Sequence, residues 1–217
     1  MDLLIFDLDG TLIDSQRDLA NAVNAARFHL GLGPIEDELI YSYVGNGAPV
    51  LLRRAMGPEA PQEDVDKALA FFLTYYREHM LDYTTLYPGV REALDRLHEA
   101  GIRLAVLTNK PVRISEAIVA GLGLKDHFQR VYGGNSFAEK KPHPVGIETL
   151  LAEWHTPRNR TMMVGDSAVD VQTARNAGVR ACGVTFGFQP ETFNQHPPDL
   201  LIDRMEQLAD HVLPGRR

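Results

Sequence analysis

The chain has 217 residues, a formal net charge of −7, and 44% hydrophobic and 24% charged residues, enough for one ordinary globular domain plus a sizeable insert. The acidic balance argues against a nucleic-acid backbone or an anionic membrane as partner, no apolar run is long enough to cross a bilayer, and the amino terminus enters a strand with no signal sequence, so a cytoplasmic location is expected. The single cysteine, Cys182, excludes an intrachain disulfide framework and reads as a small core side chain within the apolar stretch Val179 to Val184.

Leu3 to Phe6 is apolar without alternation, the pattern of a strand covered on both faces. It runs into Asp7-Leu8-Asp9-Gly10-Thr11, where Gly10 marks a turn. Ser15 and Asp18 have the spacing of a capping box. Leu19, Ala22, Val23, Ala26 and Leu30 then recur at helical spacing, up to the break Gly31-Leu32-Gly33-Pro34. Shorter helices are expected over residues 36–43 and from Pro49 to Met56, on either side of the turn Gly45-Asn46-Gly47. The stripe Val65, Leu69, Phe72, Leu73, Tyr76 and Met80 predicts a longer helix whose aromatics belong to the core.

From Tyr87 onward, helical stripes alternate with short apolar runs. Strands are expected over Ile102 to Leu107, over Val131 to Gly133, over Thr161 to Val164, over Val179 to Val184 and at Leu200 to Ile202. The alternation predicts an α/β fold, a Rossmann-like parallel sheet flanked by helices, formed by residues 1–14 and 83–217. A small all-α cap domain, residues 15–82, is inserted after the first strand, where it would overhang the carboxyl ends of the strands.

Three strands end in polar chemistry: Asp7 and Asp9, Thr108 and Asn109, and Asp166 with Asp170. Lys141 comes from a fourth loop, Lys140-Lys141-Pro142-His143-Pro144. In open parallel sheets, ligands bind beyond the carboxyl ends of the strands. Aspartates gathered there repel one another by several kcal/mol unless a cation or protons offset them. An all-oxygen donor set suits Mg²⁺, which keeps some waters and takes one or two carboxylates with a substrate phosphate. No His/Cys set has zinc spacing. His143, between two prolines, is placed to shape the pocket.

Asp7-Leu8-Asp9-Gly10-Thr11-Leu12, Thr108-Asn109, Lys141-Pro142 and Gly165-Asp166-Ser167-x-x-Asp170 resemble, in order, the four motifs of the haloacid dehalogenase-like superfamily. The helical insert is similar to that superfamily's small α-helical cap. Residues 43–47 and 170–178 carry a narrower likeness to bacterial phosphoglycolate phosphatases. The resemblance implies a phosphomonoester hydrolase in which Asp7 is the nucleophile and Asp9 the general acid and base. It implies Thr108 and Asn109 as phosphoryl-binding groups, and Lys141 as the cation that offsets charge at the reacting centre. The metal site would be Asp7, Asp9 through its backbone carbonyl, and Asp166, with Asp170 ordering metal-bound water. An acid at position 9 argues for phosphoryl transfer, because a halide leaving group needs no proton.

The expected partner is a small phosphorylated metabolite, enclosed by the cap, and the likeness points to 2-phosphoglycolate. Its carboxylate would want a nest of N–H groups, which Gly45-Asn46-Gly47 can supply, or a guanidinium, from Arg53 or Arg54. Related chemistry on another small ester or on pyrophosphate, a sugar phosphomutase, and a phospho-accepting receiver-like protein are the alternatives. A receiver has no helical insert after its first strand. Monomer and homodimer both remain open.

Overall fold

Leu3–Phe6 forms β1, and none of its four side chains reaches solvent. In the computed structural model, which describes residues 1–213, strand alternation sends Leu3 and Ile5 into one apolar core and Leu4 and Phe6 into another. Each such burial is worth about 2 kcal/mol, so a strand covered on both faces excludes polar residues from its middle.

The remaining elements, in chain order, are β2 (Ile13–Asp14), α1 (Gln16–His29), α2 (Asp37–Tyr41), α3 (Ala48–Met56), α4 (Gln62–His79), β3 (Thr85–Leu86), α5 (Val90–Glu99), β4 (Arg103–Leu107), α6 (Val112–Gly121), β5 (Arg130–Tyr132), α7 (Val145–Trp154), β6 (Thr161–Gly165), α8 (Ala168–Asn176), β7 (Arg180–Val184), β8 (Leu200–Ile202) and α9 (Glu206–Val212). Six strands make one parallel sheet in the order β5-β4-β1-β6-β7-β8. Helices α5, α6 and α9 pack on the Leu4 and Phe6 face, and α7 and α8 pack on the other. The strand order reverses beside β1, which places the crevice of the sheet over the end of that strand.

Helices α1 to α4 lie between β2 and β3. Their apolar stripes, including Leu19 and Val23 of α1, Leu51 and Leu52 of α3, and Phe72 and Tyr76 of α4, join the Leu4 and Phe6 core. The chain leaves and re-enters the sheet side by side: Ile13 pairs with Leu86 and Asp14 with Thr85 in an antiparallel ladder. A strand of two residues has no periodicity, so nothing in the sequence announces it.

The capping box expected at Ser15 is not formed. The Ser15 hydroxyl donates to Asp9 Oδ1 at 2.5 Å instead. Asp18 reaches across to the returning chain, accepting from the Tyr83 and Thr84 amides at 3.0 and 2.8 Å and from the Thr84 hydroxyl at 2.7 Å. A buried carboxylate needs several donors, and the two crossing segments offer more than one helix end does. The box occurs instead at Ser167 and Asp170, where α8 begins. The helix expected over residues 36–43 stops at Tyr41. Among the described residues, no helix is long and apolar enough to cross a membrane.

Candidate active site

The site forms where β1, β4 and β6 end. Asp7 follows β1; its Oδ1 accepts the Leu8 amide at 2.7 Å, and its Oδ2 lies 2.9 Å from Lys141 Nζ. Asp166 follows β6, and its Oδ2 accepts the Phe188 amide at 2.7 Å. Gly10, at φ +77°, leaves the space that this carboxylate occupies. A Cβ there would fall 2.2 Å from Asp166 Oδ2. Asp170 sits in the first turn of α8; its Oδ1 takes Lys141 Nζ at 2.6 Å and its Oδ2 the Ser167 hydroxyl at 2.8 Å.

Asp7, Asp166 and Asp170 each offer an oxygen within 4.8 Å of the others. Burial, working against the pull of Lys141 and with the charge of Asp170, pushes the Asp7 carboxyl from 3.8 up to about 6. Burial and the neighbouring Asp170 and Asp7 carry Asp166 well above the carboxylate range. Lys141 is buried, which opposes its charge, but Asp170 and Asp7 outweigh that and hold it above the ordinary lysine value. Three hard oxygen donors that crowd one another to this degree fit a divalent cation, which would relieve the repulsion.

Asp9 does not join this trio. Lys110 Nζ meets both its oxygens, at 2.8 and 3.0 Å, and also donates to the Tyr76 hydroxyl at 2.7 Å. Burial pushes the Tyr76 phenol up to about 12, against the influence of Lys110, so it stays a neutral hydroxyl. Neither Lys110 nor the Tyr76 hydroxyl behind it was expected at the site. Tyr76 belongs to a stripe that reads as core, and Lys110 is assigned no role from the sequence, although it directly follows Thr108-Asn109 and precedes a proline.

Thr108 and Asn109 follow β4 and are buried. The Asn109 side chain ties three segments together. It donates to the Gly45 carbonyl at 3.0 Å and the Lys141 carbonyl at 3.2 Å, and accepts the Lys141 amide at 3.0 Å. Gln189 adds a second tie to the insert, donating to the Val44 carbonyl at 2.9 Å.

The polar floor and the helical insert flank a cleft. Asp7, Asp9, Thr108, Asn109, Lys110 and Asp166 face it from the sheet; Leu19, Val44, Leu51, Phe72 and Tyr76 roof it from the insert. Gly45 and Gly47, at φ +110° and +85°, also line it, whereas Asn46 and Arg53 do not. The Arg53 guanidinium donates to the Ala60 carbonyl at 2.7 Å and to Gln62 Oε1. His143 is exposed, accepts the Val145 amide at 3.2 Å, and lies outside this cleft.

A family model described as haloacid dehalogenase-like hydrolase matches residues 4–184. A phosphoglycolate phosphatase of Chromobacterium violaceum is 43% identical over 214 residues, covering 97% of this chain and 96% of that protein. A crystal structure described as a predicted phosphoglycolate phosphatase from Haemophilus somnus 129PT superposes with a TM-score of 0.91 at 33% identity, covering 98% of this chain and 96% of the other. CbbY from Rhodobacter sphaeroides, solved in complex with phosphate, gives 0.76 at 25% identity, covering 96% of each chain. The chain belongs to the haloacid dehalogenase-like hydrolase family.

Proposed function

We propose that this phosphatase hydrolyses 2-phosphoglycolate to glycolate and phosphate through a phosphoryl group carried on Asp7, with Mg²⁺ as its metal. The observation that carries the reading is the Asp7 carboxylate: it lies at the floor of the cleft, paired with Lys141 at 2.9 Å and beside Asp166 and Asp170.

In the first step an Asp7 oxygen attacks phosphorus in line. The bond from phosphorus to the ester oxygen breaks, and Asp9 gives that oxygen a proton. In the second step Asp9 takes a proton from water as the water attacks phosphorus, and the bond to Asp7 breaks to release phosphate. Lys141 holds Asp7 and offsets charge on the phosphoryl oxygens, and Thr108 gives them a hydroxyl. The Asn109 side chain fixes the Lys141 loop, leaving phosphoryl contact to its backbone. Asp7 and Asp166, with the Asp9 carbonyl, would hold the metal, and Asp170 would support them through Lys141 and bound water. When bound, Mg²⁺ supplies charge neutralisation for the phosphate and for the crowded carboxylates.

Residues 15–82 act as a cap that excludes water, and residues 1–14 and 83–217 as the catalytic core. The relatives named phosphoglycolate phosphatase, at up to 43% identity, support this substrate, and the phosphate in the Rhodobacter protein supports a phosphate-binding floor. The test is phosphate release from a panel of small phosphoesters, with Mg²⁺ and with chelator. Highest kcat/KM on 2-phosphoglycolate, abolished by chelation and by Asp7→Asn, is expected. Another preferred ester overturns the substrate, and turnover by Asp7→Asn overturns the mechanism.

A further inference from the structure

Lys110 lies in the wall of the cleft with its side chain 5% exposed, and the hydrolysis steps above leave it unused. Among the described residues that line the cleft, it is the one lysine or arginine. Asp7, Asp9 and Asp166 give the floor a strongly acidic character, and the roof is mostly apolar. A phosphoester carrying a second anionic group therefore needs a cation placed near that group. The position of that charge follows from the chemistry. The ester oxygen must rest against Asp9 to receive a proton, and in a glycolate ester the carboxyl carbon lies two bonds beyond it. This is the shell around Asp9, and Lys110 Nζ occupies it, 2.8 and 3.0 Å from the two Asp9 oxygens.

We propose that Lys110, steadied by Tyr76, recognises the substrate carboxylate and makes the cleft selective for small phosphoesters with a carboxylate on the ester carbon; this rests on the 2-phosphoglycolate reading above. The ammonium, held in place against Asp9 and Tyr76, offsets the charge of the incoming carboxylate. The Tyr76 hydroxyl accepts from Lys110 at 2.7 Å, which leaves its own proton to donate to the same carboxylate. Tyr76 stands on α4 of the insert and Lys110 in the loop between β4 and α6, so the carboxylate is read across both parts of the chain. The guanidinium of Arg53, the other cation considered for this role, is already engaged by Ala60 and Gln62.

The test compares kcat/KM for 2-phosphoglycolate with that for ethyl phosphate, an ester with the same number of carbons and no carboxylate. In the unmodified enzyme the ratio is large; a ratio near one would overturn the substrate reading, and this inference with it. Lys110→Met lowers the ratio at least tenfold, whatever it does to turnover of both esters together. Lys110→Arg keeps more of the ratio than Lys110→Met, and Tyr76→Phe lowers it more than threefold. If the unmodified enzyme prefers 2-phosphoglycolate and both Lys110→Met and Tyr76→Phe keep the ratio within threefold, Lys110 only positions Asp9 and the inference is wrong. Should Lys110→Met fail to fold, Tyr76→Phe decides by the same threshold.

Discussion

Replacing Lys141 with methionine perturbs the site at its most heavily used cation. Its side chain is 2% exposed, and the ammonium lies 2.9 Å from Asp7 and 2.6 Å from Asp170. Methionine fills nearly the same volume, so the change is chiefly the loss of charge. Removing one partner from a buried ion pair costs about 3–5 kcal/mol, because the other charge stays behind uncompensated. For a chain of this length each kcal/mol is about 2–4 °C, so the metal-free melting temperature should fall by about 10 °C. Activity suffers twice. The charge that meets the phosphoryl oxygens is gone, which costs about 10²–10³ in kcat. The group that lowers the Asp7 carboxyl is also gone, so the acid limb of the pH–rate profile should move to higher pH. Steady-state kinetics from pH 5 to 9 and a thermal melt read both effects. Lys140→Met, at the exposed neighbouring position, serves as the control and should change either by less than twofold. A Lys141→Met enzyme with an unshifted acid limb and kcat within threefold would refute the reasoning.

Three further outcomes are expected. Gly10→Ala would drive a Cβ to 2.2 Å from Asp166 Oδ2 at a backbone φ of +77°, so it should lower stability by about 1–3 kcal/mol and raise the Mg²⁺ concentration needed for half-maximal activity; an unchanged Mg²⁺ dependence contradicts this. Asp7 rises from 3.8 to about 6 on folding, so its contribution to the stability of the metal-free protein is full below pH 3.8 and is lost as pH rises through 6, about 3 kcal/mol in all. Denaturant melts of the metal-free enzyme across that window should show this component, and Asp7→Asn should remove it. Arg53→Ala should leave KM for 2-phosphoglycolate within twofold while lowering the melting temperature slightly, since its guanidinium braces the Ala60 turn; a large rise in KM would place it back in the substrate site.

The sheet and its polar rim could be read from the sequence because the central strands β1, β4 and β6 are mostly apolar runs that give way to polar residues. Two-sided burial forces the run, and the crevice of a parallel sheet forces where the polar residues go, so Asp7, Thr108 and Asp166 announce themselves. What the sequence hid depends on directions that only packing sets. Whether Arg53 turns to the cleft or to Ala60 follows from how the α3–α4 turn lies. Lys110 looks like any loop lysine until the loop after β4 is seen to aim it at Asp9. Tyr76 shares a buried stripe with Phe72, and only its hydroxyl separates it from an ordinary core ring. Ser15 and Asp18 had the spacing of a local cap, but nonlocal partners, Asp9 and the Thr84 segment, took both side chains.

The central claim is that the phosphoryl group passes through Asp7, and trapping it there is the most direct measurement. Enzyme mixed with 2-phosphoglycolate and Mg²⁺ is quenched in acid within the first turnover, digested and examined by mass spectrometry. A phosphoryl group on the peptide containing Asp7, formed before free phosphate appears and absent from Asp7→Asn, is the predicted result. Phosphate released at full rate with no phosphorylated aspartate at any time point would contradict the account.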